Sequence, residues 1–287
     1  MAAEGAEADL PDQSRMGFWD HLGELRRRLK VTLLAVLVLF VVFMTFSLGT
    51  VHVLGTDVPM VLPALAANES PMANQFFRAL VASLVPAQVG GVPIQLVAKA
   101  PWDGVLVQIK AAFFLALVAA SPLIAHEFSG FLGPGLKPSE KRLLLRVTAP
   151  SLALFAVGVV LCYVVVLPFS FTLLYSVQGG LGVSVYLLFL DDFVTFALLF
   201  LLGFGLAFQL PVVMYGLSWV GVVSAGFWRR HWRAAVVGIL FFGALITPDG
   251  SGLTMMLVSL PMLALYVVGY GFSRRAERAR LGPAKSS

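Results

Sequence analysis

Four stretches of this chain, residues 31–48, 105–125, 147–175 and 193–223, run apolar and almost uncharged over the length of helix, about 20 residues, that crosses the hydrocarbon of a bilayer. In hydrocarbon every backbone N–H and C=O must be satisfied within the segment itself, so each stretch is expected to be helical. Two further segments follow. Residues 234–246 are short for a span, and 253–272 have full length but carry Pro261. They form either two short helices or one re-entrant hairpin, and both versions return the chain to the same side of the membrane. Composition agrees with lipid as the solvent: 59% of the 287 residues are hydrophobic, 12% are charged and the mean hydropathy is +0.90. The expected fold class is an all-α integral membrane protein with six transmembrane helices.

Orientation follows from where Lys and Arg fall. Six crossings place Arg15, Arg26, Arg27, Arg28, Lys30, Lys137, Lys141, Arg142, Arg146, Arg229, Arg230, Arg233, Arg274, Arg275, Arg278, Arg280 and Lys285 on one side, 17 of the 20 cations. Only Arg78, Lys99 and Lys110 fall on the other, although its segment 49–104 is the longest connection. Both termini are therefore expected on the cytoplasmic side of the cell membrane, with an acidic tail at 1–17 that lacks the apolar content to fold and a basic tail at 273–287. The pI of about 9.6 is accounted for by this topology and by anionic lipid headgroups, without a nucleic-acid partner. The single cysteine, Cys162, excludes an intrachain disulfide or a cysteine-based metal cluster and leaves the redox compartment open. The N-terminal residues carry Glu4, Glu7, Asp9 and Asp12, and the first apolar run begins only after residue 30, so no cleavable leader is expected and that run stays as an anchor.

The long outward segment 49–104 is rich in Pro, Ala and Val, with an apolar stretch at 76–85 broken by Arg78. It reads either as a short amphipathic helix on the outer interface or as a loop folded over the helix ends. The second outward loop, "SVQGGLGVSVYLLFLDD", ends in Asp191 and Asp192, which suit the positive end of the following helix as caps. There is no internal repeat of the kind that marks inverted-repeat transporters.

Polar residues near the spans carry the functional reading. In "FWDHLGELRRRLK", helical spacing puts Phe18, His21, Leu22, Leu25 and Leu29 on one stripe and Asp20, Glu24, Arg27 and Arg28 on the next. Glu24 is thus either an acid paired with Arg27 or Arg28 on an interfacial helix, or a binding group. His21 has no second metal-ligand residue at useful spacing and reads as a packing residue. In "SPLIAHEFSGFLGPGLKPSEKRLLLR", Gly133, Pro134 and Gly135 force a turn, and Pro138, Ser139 and Glu140 begin a new helix, which alone explains Glu140. Yet Glu24, Glu127 and Glu140 belong to one face and can converge around one groove. Carboxylates take guanidinium groups bidentately, so such a groove can read arginines on another polypeptide. Gln209 is the strongly polar side chain in the middle of the fourth span and must find partners, either another helix or a wet cavity. Pro168, Pro211 and Pro261 interrupt spans and open concave space between them.

These residues together resemble the TatC family, the receptor subunit of the twin-arginine protein translocase. "FWDHLGELRRRL" is similar to the family's N-terminal signature, and "SPLIAHEFSGFLGPGLKPSEKRLLL", "LFAVGVVLCYVVVLPFSF", "FGLAFQLPVVMYGLSWVGVVS" and "ITPDG…LPMLALY" follow in the family's order, over roughly residues 18–275. The resemblance implies a cupped, glove-like bundle of six helices with both termini cytoplasmic and the last two helices short. It implies a groove that binds the twin-arginine signal peptide of folded cargo, with Glu24 and Glu140 as the two acids and His21, Leu22, Leu25 and Arg26 as neighbouring signature positions. Pro134, Gly135 and Leu136 match the loop that shapes the groove. It further implies export driven by the proton-motive force, assembly with TatA-type and, where they exist, TatB-type single-span subunits, a homo-oligomeric complex, and no cofactor; no P-loop occurs. Three positions depart from the family pattern: Gln209 stands where many members have Glu, Glu127 stands where a neutral polar residue is common, and the segment 49–104 is long. Gln209 with Pro211 is expected to contact a partner helix. The competing reading is a small-solute or ion transporter using Gln209 and the Pro-kinked spans. An intramembrane hydrolase has little support, because the spans hold no His-Glu-x-x-His or Ser/Lys pair with a convincing local setting, so no catalytic or metal-binding residues are expected.

Overall fold

The computed structural model describes residues 18–53, 56–64, 70–89, 91–132, 138–179, 186–247 and 252–281. The acidic tail, the loop of Pro134, Gly135 and Leu136, and the end of the basic tail lie outside the described residues. Helix α1, Phe18–Thr45, starts on the polar signature and runs unbroken into the first span, because nothing between residues 18 and 45 is Pro and only Gly23 is Gly. Leu33, Leu34, Leu37, Val38 and Val41 are exposed along one stripe, whereas Val36, Leu39, Phe40 and Phe43 pack on Ala116 and Ala120 of α3, Asp103–Leu132. Small residues on the facing helix let the two backbones approach, the usual device where lipid removes the hydrophobic drive between helices.

The third span is α4, Pro138–Leu161, followed by a π turn, Cys162–Val166, and α5, Leu167–Gly179. The π turn sits just ahead of Pro168, which has no N–H to give and whose ring crowds the carbonyl four residues back; widening the helix there relieves the clash. The fourth span is likewise two helices, α6, Leu190–Ala207, and α7, Leu210–Val220, broken at Phe208 and Gln209 ahead of Pro211. After the short α8, Ala225–Arg230, come α9, Trp232–Ile246, and α10, Gly252–Leu281. Among the described residues five stretches are long and apolar enough to span a membrane, and α9, at 15 residues, is shorter. The last two elements are two helices, of which α10 has the length to span a membrane. Only α9 is short: α10 reaches 30 residues, because the basic segment after Phe272 continues the same helix to Leu281.

The fourth span is the centre of the bundle. Of its most apolar window 61% is buried, against 6% for the first span. Phe193, Phe200 and Phe204 are fully buried, with Phe196 stacked on Phe200 at 4.3 Å between ring centres. Close approach of α4 requires Gly158, where a Cβ would stand 2.8 Å from the Phe204 carbonyl oxygen.

The two loops expected on the outer side are more structured than the sequence suggested. Strands β1, Phe46–Val53, and β2, Thr56–Pro63, pair antiparallel with Ser47 opposite Leu62. Strand β3, Gln88–Val89, pairs with β4, Val92–Val97, and β4 runs parallel to β5, Tyr186–Phe189, so one small sheet ties the two outward loops together. Alternating β-branched residues outside the hydrocarbon are free to pair as strands, which an expectation built on helical spans does not capture. Between the two sheets α2, Met72–Leu84, covers the stretch read as amphipathic. It lies over the helix ends: Phe76 stacks on Phe114 at 5.6 Å, Phe77 meets Phe193 at 6.5 Å, and Leu80 and Leu84 are buried.

Candidate functional site

Because α1 and α3 pack side by side in opposite directions, the polar start of the first meets the end of the second. Arg28 donates to Glu24 Oε1 through Nε at 3.0 Å and through Nη2 at 2.7 Å, and its Nη1 donates to Glu127 Oε2 at 2.9 Å. All three side chains are largely shielded, at 17%, 14% and 17% exposure for Arg28, Glu24 and Glu127. Two carboxylates around one guanidinium leave the cluster with one negative charge in excess. One acceptor in it is unfilled: Glu24 Oε2 is buried and has no hydrogen-bond partner among the described residues. An ionised carboxylate oxygen held from water without a donor is costly, and a donor brought from outside relieves that cost.

The local sequence explains the arrangement. Glu24 and Arg28 are four apart on one helix, the favourable order of acid before base, and Glu127 arrives from a segment 99 residues after Arg28. Of the other residues singled out in the sequence, Leu22 and Leu25 are exposed on the same first turns of α1, beside exposed Arg26. His21 belongs to α1 and Glu140 to the first turn of α4, and the side chains of both lie outside the described residues. The pairing of Glu24 with Arg28 was one of two partners open in the sequence. That Arg28 also reaches Glu127 was not legible, since nothing in the spacing sets the α1–α3 register.

Asp191 and Asp192 stand in the first turn of α6, at the positive end of its dipole as expected, while the N-cap residue, Phe189, makes no side-chain cap. Asp191 takes Lys110 Nζ at 2.5 Å and Asp192 takes Lys99, so two of the three cations at this end of the bundle are spent clasping the loops together. In the bundle, Gln209 faces another helix: Ser151 Oγ donates to its Oε1, and its Nε2 donates to the Ser151 carbonyl at 3.0 Å. Pro211 is buried. No group of three His, Cys, Asp or Glu positioned to hold a metal occurs among the described residues.

The model of the family described as Sec-independent protein translocase protein (TatC) matches residues 20–261. The chain belongs to the TatC family. It is 37% identical over 265 residues to the Sec-independent protein translocase protein TatC of Cenarchaeum symbiosum, covering 92% of this chain and 97% of that one. It is 32% identical over 261 residues to the chloroplastic Sec-independent protein translocase protein TATC of Arabidopsis thaliana, covering 91% and 67%. A crystal structure of the twin-arginine translocase receptor TatC superposes with a TM-score of 0.71 at 27% identity, over 90% of this chain and all of that one. Family membership and the apolar helices make the chain a multi-pass membrane component of a Sec-independent protein translocase. The all-helical membrane fold expected from the sequence agrees with this match, with five apolar helices of spanning length and one shorter one among the described residues.

Proposed function

We propose that this TatC-family chain is the receptor and scaffold of a twin-arginine translocase, binding the signal peptide of folded cargo at the end of the bundle where α1 meets α3. The observation that carries the reading is the Glu24–Arg28–Glu127 cluster with its unfilled Glu24 Oε2. The cluster already holds one guanidinium, so its acids are spaced for that group, and its excess charge and open acceptor suit another. An arriving arginine donates to Glu24 Oε2, while Arg28 retains Glu127 as its counter-ion. Glu140, at the start of α4, serves as the second acid for the arginine pair. His21, Leu22, Leu25 and Arg26 flank the peptide, and Pro134, Gly135 and Leu136 shape the groove. Both termini face the cytoplasm, where the cations of α1, α8 and α10 concentrate. Export draws on the proton-motive force, with TatA-type and TatB-type single-span subunits and further copies of the chain assembling around it. Gln209 keeps one amide hydrogen for a partner helix beside Pro211. Solute transport through Gln209 is the weaker reading, because that amide is already bonded to Ser151.

The test is site-specific photocrosslinking in membranes from a twin-arginine signal peptide and from its Lys-Lys version. Lys keeps the charge and loses the planar fork. Crosslinks near Glu24 and Glu140 that fade with Lys-Lys support the receptor reading; no crosslink, or equal labelling by both peptides, refutes it.

A further inference from the structure

A second charged feature lies apart from the acidic cluster, where α8 packs on the last turns of α10. Arg229 of α8 and Tyr270, Arg274, Glu277 and Arg278 of α10 line a cleft of roughly 250 Å³. The four α10 residues follow at i, i+4, i+7 and i+8, so they share one face of the helix. Three guanidinium groups oppose one carboxylate there. That carboxylate is already engaged: Glu277 Oε2 accepts the Ala225 backbone N–H at 3.0 Å, and no ion pair joins Arg229, Arg274 or Arg278 to an acid among the described residues. Arg274 instead lies over the Tyr270 ring at 5.9 Å. The walls are held in place by polar ties. Ser218 and Ser273 share a hydrogen bond of 2.5 Å, Trp228 Nε1 donates to Ser218 Oγ at 3.1 Å, and Tyr266 donates its hydroxyl to the Trp228 carbonyl at 2.7 Å.

The same end of the bundle also carries exposed apolar side chains. Phe227 is 45% exposed, Trp232 52% and Phe272 39%, and Val237 and Phe241 of α9 and Val267 and Val268 of α10 stay exposed along the apolar helices. Arg233 sits over Trp232 at 5.7 Å, the pairing of aromatic ring and cation that marks the headgroup level of a bilayer. A ligand that meets both surfaces has an anionic phosphate for the arginines and hydrocarbon for the flank. Guanidinium forks match phosphate oxygens bidentately, and Tyr270 adds a hydroxyl. We propose that this cleft is a binding site for the phosphate headgroup of an anionic phospholipid, whose acyl chains lie against the exposed apolar faces of α9 and α10.

The test uses the full-length protein in detergent, titrated with phosphatidylglycerol or phosphatidylcholine and read by native mass spectrometry, with glycerol phosphate as a soluble competitor. The expected result is retained phosphatidylglycerol in preference to phosphatidylcholine, with affinity falling at least about tenfold when Arg274→Gln and Arg278→Gln are combined. Arg229→Gln, on the opposite wall, gives a loss in the same direction and serves if the double variant does not fold. Arg230→Gln with Arg275→Gln, on the same end of the bundle but outside the cleft lining, leaves retention unchanged. Equal losses from the outside pair mean diffuse attraction to basic residues and overturn the site. Displacement by glycerol phosphate at concentrations comparable to the lipid means a soluble phosphate site and overturns the lipid assignment.

Discussion

Gln209 on α7 and Ser151 on α4 hold each other twice, the serine hydroxyl donating to the amide oxygen and the amide nitrogen donating to the serine carbonyl at 3.0 Å. The glutamine stands at the break between α6 and α7, where Pro211 leaves the Ala207 carbonyl without the N–H it would otherwise receive. A polar clasp at the weakest point of the central span ties that break to its neighbour. Gln209→Leu is expected to destabilise the protein by about 1 kcal/mol, the scale of hydrogen bonds between helices in membranes. Thermal unfolding in detergent checks it. Ser151→Ala should lose a similar amount and the double variant little more; additive losses would show that the two residues act separately.

Arg28 competes with incoming peptide for Glu24, if the receptor reading holds. Arg28→Gln is therefore expected to strengthen twin-arginine peptide binding, since Glu24 is then left without its counter-ion in a largely shielded site. Glu127→Gln should act in the opposite direction, because Arg28 then has only Glu24 to pair with. Anisotropy of a labelled signal peptide with the protein in nanodiscs measures both. Weaker binding in Arg28→Gln, with native helix content, would show that Arg28 supports the site instead of competing for it.

Lys110 and Asp191 join α3 to the start of α6 at the end of the bundle opposite the acidic cluster. Both side chains are partly in water, so a double-mutant cycle with Lys110→Ala and Asp191→Ala should give a coupling of about 0.5–1 kcal/mol that shrinks at high salt. A salt-independent coupling would instead assign the effect to packing of the lysine stem.

Gly158 faces the Phe204 carbonyl oxygen and the Phe208 ring, and a Cβ added to it would stand 2.8 Å from each. Backbone cannot yield as a side-chain tip can, so Gly158→Ala should cost about 1–3 kcal/mol. Gly216→Ala, with open space around the position, is the control that should leave the unfolding midpoint near its original value.

Several of these groups were visible in the sequence and others were not, for physical reasons. Glu24, Glu127 and Gln209 stood out because ionisable or amide groups beside hydrocarbon are expensive and must be answered. Their partners did not stand out. Ser151 is an ordinary hydroxyl in an apolar helix, and Arg28 is one cation in the crowded run from Arg26 to Lys30, so only the register of α1 on α3 and of α4 on α7 selects them. The two sheets were missed because most of their residues lie in the connections between the apolar runs, where the rule that every backbone group bonds within its own helix gives no guidance.

From its sequence alone the chain was committed to membrane-spanning helices and an uneven distribution of cations, since the cost of bare backbone in lipid leaves a long apolar run no other form. Tertiary structure decided what packs on what: that the fourth span is the core, that α2 closes over the helix ends, and that Arg28 joins Glu24 to an acid from a remote helix. Those outcomes depend on distances between segments far apart in sequence, which are set by side-chain fit across helix faces and not by the periodicity of any one helix.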